Sequence, residues 1–315
     1  MKNGIGDRRE LNVVSIDKVA LLEEHKKELR KVCKLKLFDS PPRNKQEFDT
    51  RLKNVDILLV NTFTVDKELL KLCKSLKLIC VFGTGYDFID VKEANKLGIS
   101  VANTPGYSTE STAELAVYLM LGATRLASLA NRNLIVGEWD PHKYCGHELK
   151  GKKLGIVGYG NIGRRIGQIA KNGFLMEVSY INSKSTKKDL HNLLRNSDII
   201  SINVPLTRKT ENMISKEEFS IMKEGVYIIN TSRGKVIDEK ELIKALKDKK
   251  IAGGGFDVFS REPIDKNNDL LNMDNVILTP HMGFKSKQSS YRVSNIVKNN
   301  IISFINNKPK NILKI

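Results

Sequence analysis

The chain has 315 residues, enough for two domains of ordinary size, and its 40% hydrophobic and 28% charged composition fits a folded globular protein rather than a disordered or fibrous one. No apolar run approaches the roughly 20 residues needed to span a bilayer, and the N-terminus lacks the apolar centre of a signal peptide, so a cytoplasmic protein with no membrane partner is expected. A net charge of +17 raises the question of nucleic acid, but the basic residues are mixed with 36 acids and show no zinc-finger or aromatic-plus-basic pattern, so no nucleic-acid partner is expected.

From residue 11 to about 100, "LNVVSI", "LKLF", "VDILLV", "LKLICVF" and "ISVAN" alternate with amphipathic stretches such as "KVALLEEHKKELRKV". This rhythm predicts a parallel sheet covered by helices on both faces. A long helical pattern follows from about Thr109 to Arg132, apolar nearly all round and therefore buried. After Gly151 the rhythm restarts with "KLGIVGYG", "MEVSYI", "DIISINV", "VYIIN", "IAGGGFDV" and "VILTPH", the strands of a second α/β unit. The last segment, "SSYRVSNIVKNNIISFINNK", reads as a helix that nothing ties to the second unit. Cys33, Cys73, Cys80 and Cys145 lie far apart with no CxxC and no histidine at ligand spacing, so they are expected to be reduced, mostly packed thiols, and no metal site is expected.

"LGIVGYGNIGRRIGQIAK" sets Gly158, Gly160 and Gly163 in G-x-G-x-x-G register, directly after a β-branched run and before a helical pattern. Such glycines allow a tight turn and a close approach of the backbone to a pyrophosphate, which rests on the helix N-terminus. The residue that contacts the adenosine ribose falls roughly 20 positions on. Nineteen after Gly163 stands Asn182, where an acid would hold the ribose hydroxyls of NAD and repel the extra phosphate of NADP. Asn182, Ser183 and Lys184 offer donors and a positive charge, with Lys187 and Lys188 close behind, so NADP(H) is expected over NAD(H).

Three later stretches each place one chemically useful side chain just after an apolar strand: "VYIINTSRGKVID" presents Arg233, "GGFDVFSREP" presents Glu262 and "VILTPHMGF" presents His281. Strand C-terminal ends face the ligand crevice of an open α/β sheet, so the three can converge.

This series of a glycine fingerprint, N-x-x-R-G, D-V-x-x-x-E-P and T-P-H resembles the D-isomer-specific 2-hydroxyacid dehydrogenase family over most of the chain. The resemblance implies two doubly wound parallel-sheet α/β domains: a Rossmann NAD(P)-binding domain over 103–284, inserted into a discontinuous flavodoxin-like substrate domain made of 1–102 and 285–315. It also implies an oxidoreductase in which Arg233 binds a substrate carboxylate, His281 is the acid/base and Glu262 is its carboxylate partner, favouring the imidazolium when ionised. The backbone amides of Thr84 and Gly85 would help to hold the substrate carboxylate. Cofactor contacts would fall on Ser111, Gly158, Gly160, Asn161, Ile162, Gly163, Asn182, Ser183, Lys184, Val204, Pro205, Thr210, Thr231, His281 and Gly283, with Asp257 near the nicotinamide amide.

"GTGYDFIDVKEANKLGISVANTPGYSTES" and Phe284 look most like the glycerate dehydrogenase and hydroxypyruvate/glyoxylate reductase branch. Val81 stands where the phosphoglycerate branch usually has an arginine, which weighs against a phosphorylated substrate. A small keto acid reduced to its D-2-hydroxy acid by NAD(P)H is therefore the first expectation; D-lactate or D-3-phosphoglycerate oxidation is the alternative within the same chemistry. A dinucleotide-sensing co-repressor is a rival of another class, disfavoured by the complete Arg233, Glu262 and His281 set. The long apolar helix predicts a homodimer. Lys285, Ser286, Lys287 and Gln288 depart from the family's usual residues after the histidine.

Overall fold

The β-branched runs, too short to be stable helices, form strands, and the polar amphipathic stretches between them form helices, in the computed structural model, which describes residues 10–313. Contacts divide the chain into two units: the first ends at Tyr107 and resumes at Ser286, and the second is Ser108–Lys285.

In the first unit β1 (Asn12–Ser15), α1 (Glu23–Leu29), β2 (Lys34–Lys36), α2 (Lys45–Leu52), β3 (Ile57–Val60), α3 (Lys67–Leu72), β4 (Leu78–Val81), α4 (Val91–Lys96) and β5 (Ser100–Ala102) alternate along the chain. The strands lie parallel in the order β2-β1-β3-β4-β5, the flavodoxin-like arrangement. Every residue of β3 and β4 is buried, as strands covered on both faces must be. Asn44, Asp66 and Asp90 each accept an amide hydrogen bond at the start of a helix, a cap worth about 1 kcal/mol. The helical pattern expected from Lys18 begins only at Glu23. Val19 and Leu21 are buried alternately with exposed Lys18 and Ala20, which is an extended pattern, and the Leu22 amide donates to Ser294 Oγ rather than to a helix carbonyl.

The second unit opens with α5 (Thr109–Thr124) and α6 (Ala127–Ile135). It continues through β6 (Lys153–Val157), α7 (Asn161–Phe174), β7 (Glu177–Ile181), α8 (Lys187–Asn196), β8 (Ile199–Ile202), α9 (Lys216–Ile221), β9 (Val226–Asn230), α10 (Glu239–Lys247), β10 (Ile251–Phe256) and β11 (Val276–Leu278). All six strands are parallel in the order β11-β10-β9-β8-β6-β7, so the winding reverses between β6 and β8, the switch point at which dinucleotides bind in such sheets.

The single long helix expected over 109–132 is instead two helices bent by 71°. The amide of His147 takes the Thr124 carbonyl at 2.8 Å, and Leu126 adopts left-handed φ of 53°, so the hydrogen-bond ladder cannot continue. α5 is largely buried as expected, whereas α6 has no buried residue. Among the described residues no single helix is long and apolar enough to cross a membrane.

The chain then returns to the first unit as α11 (Lys287–Ile305). Val293, Val297 and Ile301 recur every four residues on one face and pack with Val13, Ile57, Leu59 and Leu78 from β1, β3 and β4. Cys33, Cys73 and Cys80 are buried free thiols and Cys145 is an exposed one.

Candidate active site

The turn after β6 explains its own glycines. Gly158 has φ of 98°, and a Cβ there would lie 2.7 Å from the Asn203 carbonyl oxygen; a Cβ on Gly163 would lie 2.2 Å from the Gly158 oxygen. Gly160 differs, because a Cβ there would meet no protein atom within 4 Å. Packing does not require that glycine, and its bare backbone leaves a cradle for a ligand. α7 starts beside it without a side-chain cap, and the amides of Asn161, Ile162 and Gly163 donate to nothing among the described residues. Free amides at the positive end of a helix suit a pyrophosphate. Buried Thr231 Oγ1, just beyond β9, and Asn203 Oδ1, just beyond β8, also lack partners among the described residues. The residues present therefore fit a bound dinucleotide.

At the end of β7, Asn182 turns its side chain back on its own loop: Oδ1 accepts the Lys184 amide at 2.9 Å, and the Asn182 amide donates to Ser185 Oγ at 3.1 Å. The Ser183 hydroxyl and the Lys184 ammonium have no partner among the described residues. Lys187 is not free in the same way, because it pairs with Glu217 at 2.7 Å and Glu218 at 3.8 Å. Both Gly158 and Tyr159 donate their amides to the Ile181 carbonyl, which joins the glycine turn to this loop. Val204 packs against Gly158, and Thr210 closes the loop beyond it by donating to the Pro205 carbonyl at 2.6 Å. Ser111, in the first turn of α5, donates to the Ser108 carbonyl at 3.1 Å.

Arg233, Glu262 and His281 all stand beyond the C-terminal ends of strands of the second sheet. Asn230, the last residue of β9, organises the first of them: its Oδ1 accepts from the Ser232 amide and hydroxyl, and its Nδ2 donates to the Arg233 carbonyl. The next residue must be glycine, since a Cβ on Gly234 would sit 1.9 Å from the Phe259 carbonyl carbon. That close approach locks the N-x-x-R-G segment against the segment carrying Glu262. Glu262 accepts the Phe259 amide at 3.1 Å through Oε1, and its Oε2 lies 2.5 Å from His281 Nδ1. Burial pushes the Glu262 carboxyl up, but the hydrogen bond and charge of His281, the Phe259 amide and the charge of Arg233 outweigh it and hold the group below its usual 4.5.

His281 is itself held at φ of 50°, the left-handed region that β-carbon-bearing residues avoid. Asp257, which the family resemblance set beside the nicotinamide amide, is 1% exposed. Its carboxylate accepts from Thr279 Oγ1 and from the amides of Met282 and Gly283, while its carbonyl takes the His281 amide. Its visible work is to fix the turn that carries the histidine. Gly283 fits that turn because a Cβ would lie 3.0 Å from Asp257 Oδ2. Phe284 presents its ring edge-on to His281 with centroids 6.0 Å apart. The sequence reading missed Asn230, although the asparagine of N-x-x-R-G carried the signal.

Thr84 and Gly85 belong to the first unit, on the loop after β4. Their amides donate to nothing among the described residues, while the Thr84 carbonyl accepts from Asn103 Nδ2 at 2.8 Å.

The chain is similar to known proteins over most of its length. Residues 117–283 match the family described as D-isomer specific 2-hydroxyacid dehydrogenase, NAD binding domain. A glyoxylate reductase of Korarchaeum cryptofilum is 40% identical over 281 residues, covering 84% of each chain. A hydroxypyruvate reductase of Blautia hydrogenotrophica is 35% identical, covering 84% of this chain and 88% of its own. Among solved structures, an acyclic imino acid reductase in complex with NADPH and D-Arg superposes with a TM-score of 0.90 at 29% identity, covering 96% of this chain and 100% of its own. The chain belongs to the D-isomer specific 2-hydroxyacid dehydrogenase family, and is a nicotinamide-dependent oxidoreductase that interconverts 2-keto acids and D-2-hydroxy acids.

Proposed function

We propose that the protein reduces a small unphosphorylated 2-keto acid, glyoxylate or hydroxypyruvate, with NADPH in preference to NADH, and that His281, Glu262 and Arg233 carry the reaction. The observation that carries this reading is the 2.5 Å pairing of His281 Nδ1 with Glu262 on the same sheet edge as Arg233. An ionised Glu262 can only accept, so Nδ1 keeps its proton and Nε2 is the atom that exchanges one with substrate. Arg233, always charged and able to donate two parallel hydrogen bonds, binds the substrate carboxylate. A bound nicotinamide cofactor supplies the hydride. His281 Nε2 protonates the carbonyl oxygen as the carbonyl carbon is reduced, and takes the proton back in the oxidative direction. Glu262 balances the charge of the imidazolium. The amides of Thr84 and Gly85, without partners among the described residues, are proposed as further carboxylate donors.

Three observations support the narrower points. Val81 is fully buried within β4, so no side chain there reads a phosphorylated substrate. The Asn182 loop has no carboxylate to repel a 2′-phosphate, and the Ser183 hydroxyl and the Lys184 ammonium have no partner among the described residues. Tyr118, Leu134, Ile135, Val136 and Trp139 are more than half exposed, Trp139 at 83%, an apolar surface that suits a homodimer.

Replacing His281 with Ala is expected to lower turnover of glyoxylate at least about 100-fold. Unchanged turnover would remove the histidine from the mechanism. A steady-state panel of keto acids should show glyoxylate or hydroxypyruvate as the faster substrate; if both are inert while pyruvate turns over rapidly, the substrate assignment is wrong. Asn182→Asp should move preference toward NADH, and Lys184→Ala should weaken NADPH roughly 10-fold more than NADH by fluorescence titration. A constant ratio in both variants makes this loop ordinary solvated surface.

Glu262 supplies the pH test. A carboxyl whose folded value lies below its unfolded one contributes stability above the unfolded value and loses it as pH falls through the folded one. The pair with His281 should therefore persist as pH drops to 4.5 and fail below it, with the ¹³C NMR midpoint of Glu262 Cδ below 4.5. A midpoint above that value contradicts the pairing. Sedimentation should give twice the 35.5 kDa chain mass, and Ile135→Glu with Trp139→Glu should give the monomer. A wild type that sediments as a monomer excludes the dimer.

A further inference from the structure

We infer that Asn103, Asn300 and Asn311 form a positioning relay, through which the C-terminal helix aims the amides of Thr84 and Gly85 at the substrate carboxylate. The inference rests on the proposed role of those two amides and adds what sets their direction.

A trans peptide is planar, and its N–H points opposite to its C=O, so gripping a carbonyl fixes the direction of the following amide. Both relevant carbonyls are gripped. The Gly83 oxygen accepts the Thr104 amide at 3.0 Å, which fixes the Thr84 N–H. The Thr84 oxygen accepts Asn103 Nδ2 at 2.8 Å, which fixes the Gly85 N–H. The Thr84 side chain is tied down as well, donating from Oγ1 to the Thr104 carbonyl at 3.0 Å. Two neighbouring amides thus lack partners among the described residues while the peptides that bear them are immobilised from behind.

Asn103 is in turn held by the far end of the chain. Asn300 Nδ2 on α11 donates to the Asn103 carbonyl at 2.9 Å, and the Asn103 amide donates to the Asn311 carbonyl at 3.3 Å. Asn311 Nδ2 donates to Asn300 Oδ1 at 2.8 Å, and the Asn103 carbonyl, which can only accept, settles which way the Asn300 amide faces. Beyond it, Leu313 donates its amide to the Val101 carbonyl, zipping the tail along β5. Asn103 and Asn300 are 7% and 2% exposed. Polar side chains so deeply buried are costly unless paired, and an apolar residue would serve packing alone better. Asparagine, with a donor and an acceptor at fixed separation, transmits orientation.

The test compares glyoxylate with glyoxylamide, whose carboxylate is replaced by a neutral amide. Asn300→Leu, which keeps the branched outline of the side chain but removes its donor and acceptor, should raise the KM for glyoxylate about 10-fold, with kcat and the NADPH dissociation constant within about twofold and the KM for glyoxylamide unchanged. Asn103→Ala should raise the glyoxylate KM further, and adding Asn300→Leu to it should do less than Asn300→Leu does alone, because the two share the grip on the Thr84 carbonyl. Asn300→Ser carries the same test if the leucine variant does not fold. A KM that rises equally for both substrates, or a melting temperature that falls while KM stays constant, overturns the relay alone. A wild type inert toward both glyoxylate and hydroxypyruvate overturns the relay and the substrate reading beneath it.

Discussion

The candidate chemistry hangs on one buried carboxylate. Asp257 accepts three donors from the segment Thr279–Gly283 and offers its own carbonyl to the His281 amide. Four hydrogen bonds from one residue outweigh the cost of a left-handed histidine, about 1–3 kcal/mol for such a conformation. The histidine is thereby held to a single geometry, and Glu262 meets it from the neighbouring segment. Without Asp257 the T-P-H segment would relax toward an extended backbone, and the imidazole would leave its partner.

A second constraint brings the other side chains into register. Gly234 has no Cβ because the Phe259–Ser260 backbone occupies that space. The arginine motif and the glutamate motif are in effect one packed object, in which Asn230 shapes one half and the glycine admits the other. The parallel sheet supplies the common edge, and these short-range contacts supply the fit. The same division of labour holds at the glycine turn, where Gly158 and Gly163 serve packing and Gly160 stays open.

Much of this was legible in the sequence because the signals are local. Apolar runs marked the strands, and the glycine spacing marked the switch point. Arg233, Glu262 and His281 each follow an apolar run directly, so their place beyond a strand end could be read without coordinates. What stayed hidden depends on distant partners. The break at Leu126 follows from His147 taking the Thr124 carbonyl, and the late start of α1 from Ser294 taking the Leu22 amide. The burden on Asp257 was equally invisible, since it comes from hydrogen bonds made more than 20 residues away. Lys187 read as a free cation near the ribose loop, and its capture by Glu217 on another helix could not be seen from spacing.

The burial of the cysteines has a consequence for chemical probing. Burial pushes the thiols of Cys33 and Cys73 up to about 11 and that of Cys80 up to about 12, so almost none of their thiolate exists at neutral pH. All three belong to the first unit, and the exposed Cys145 belongs to the second. An alkylating reagent therefore meets one accessible sulfur in the folded chain, and each further adduct records an opening of the first unit alone. The protein carries its own clock for the local unfolding of one half of its fold.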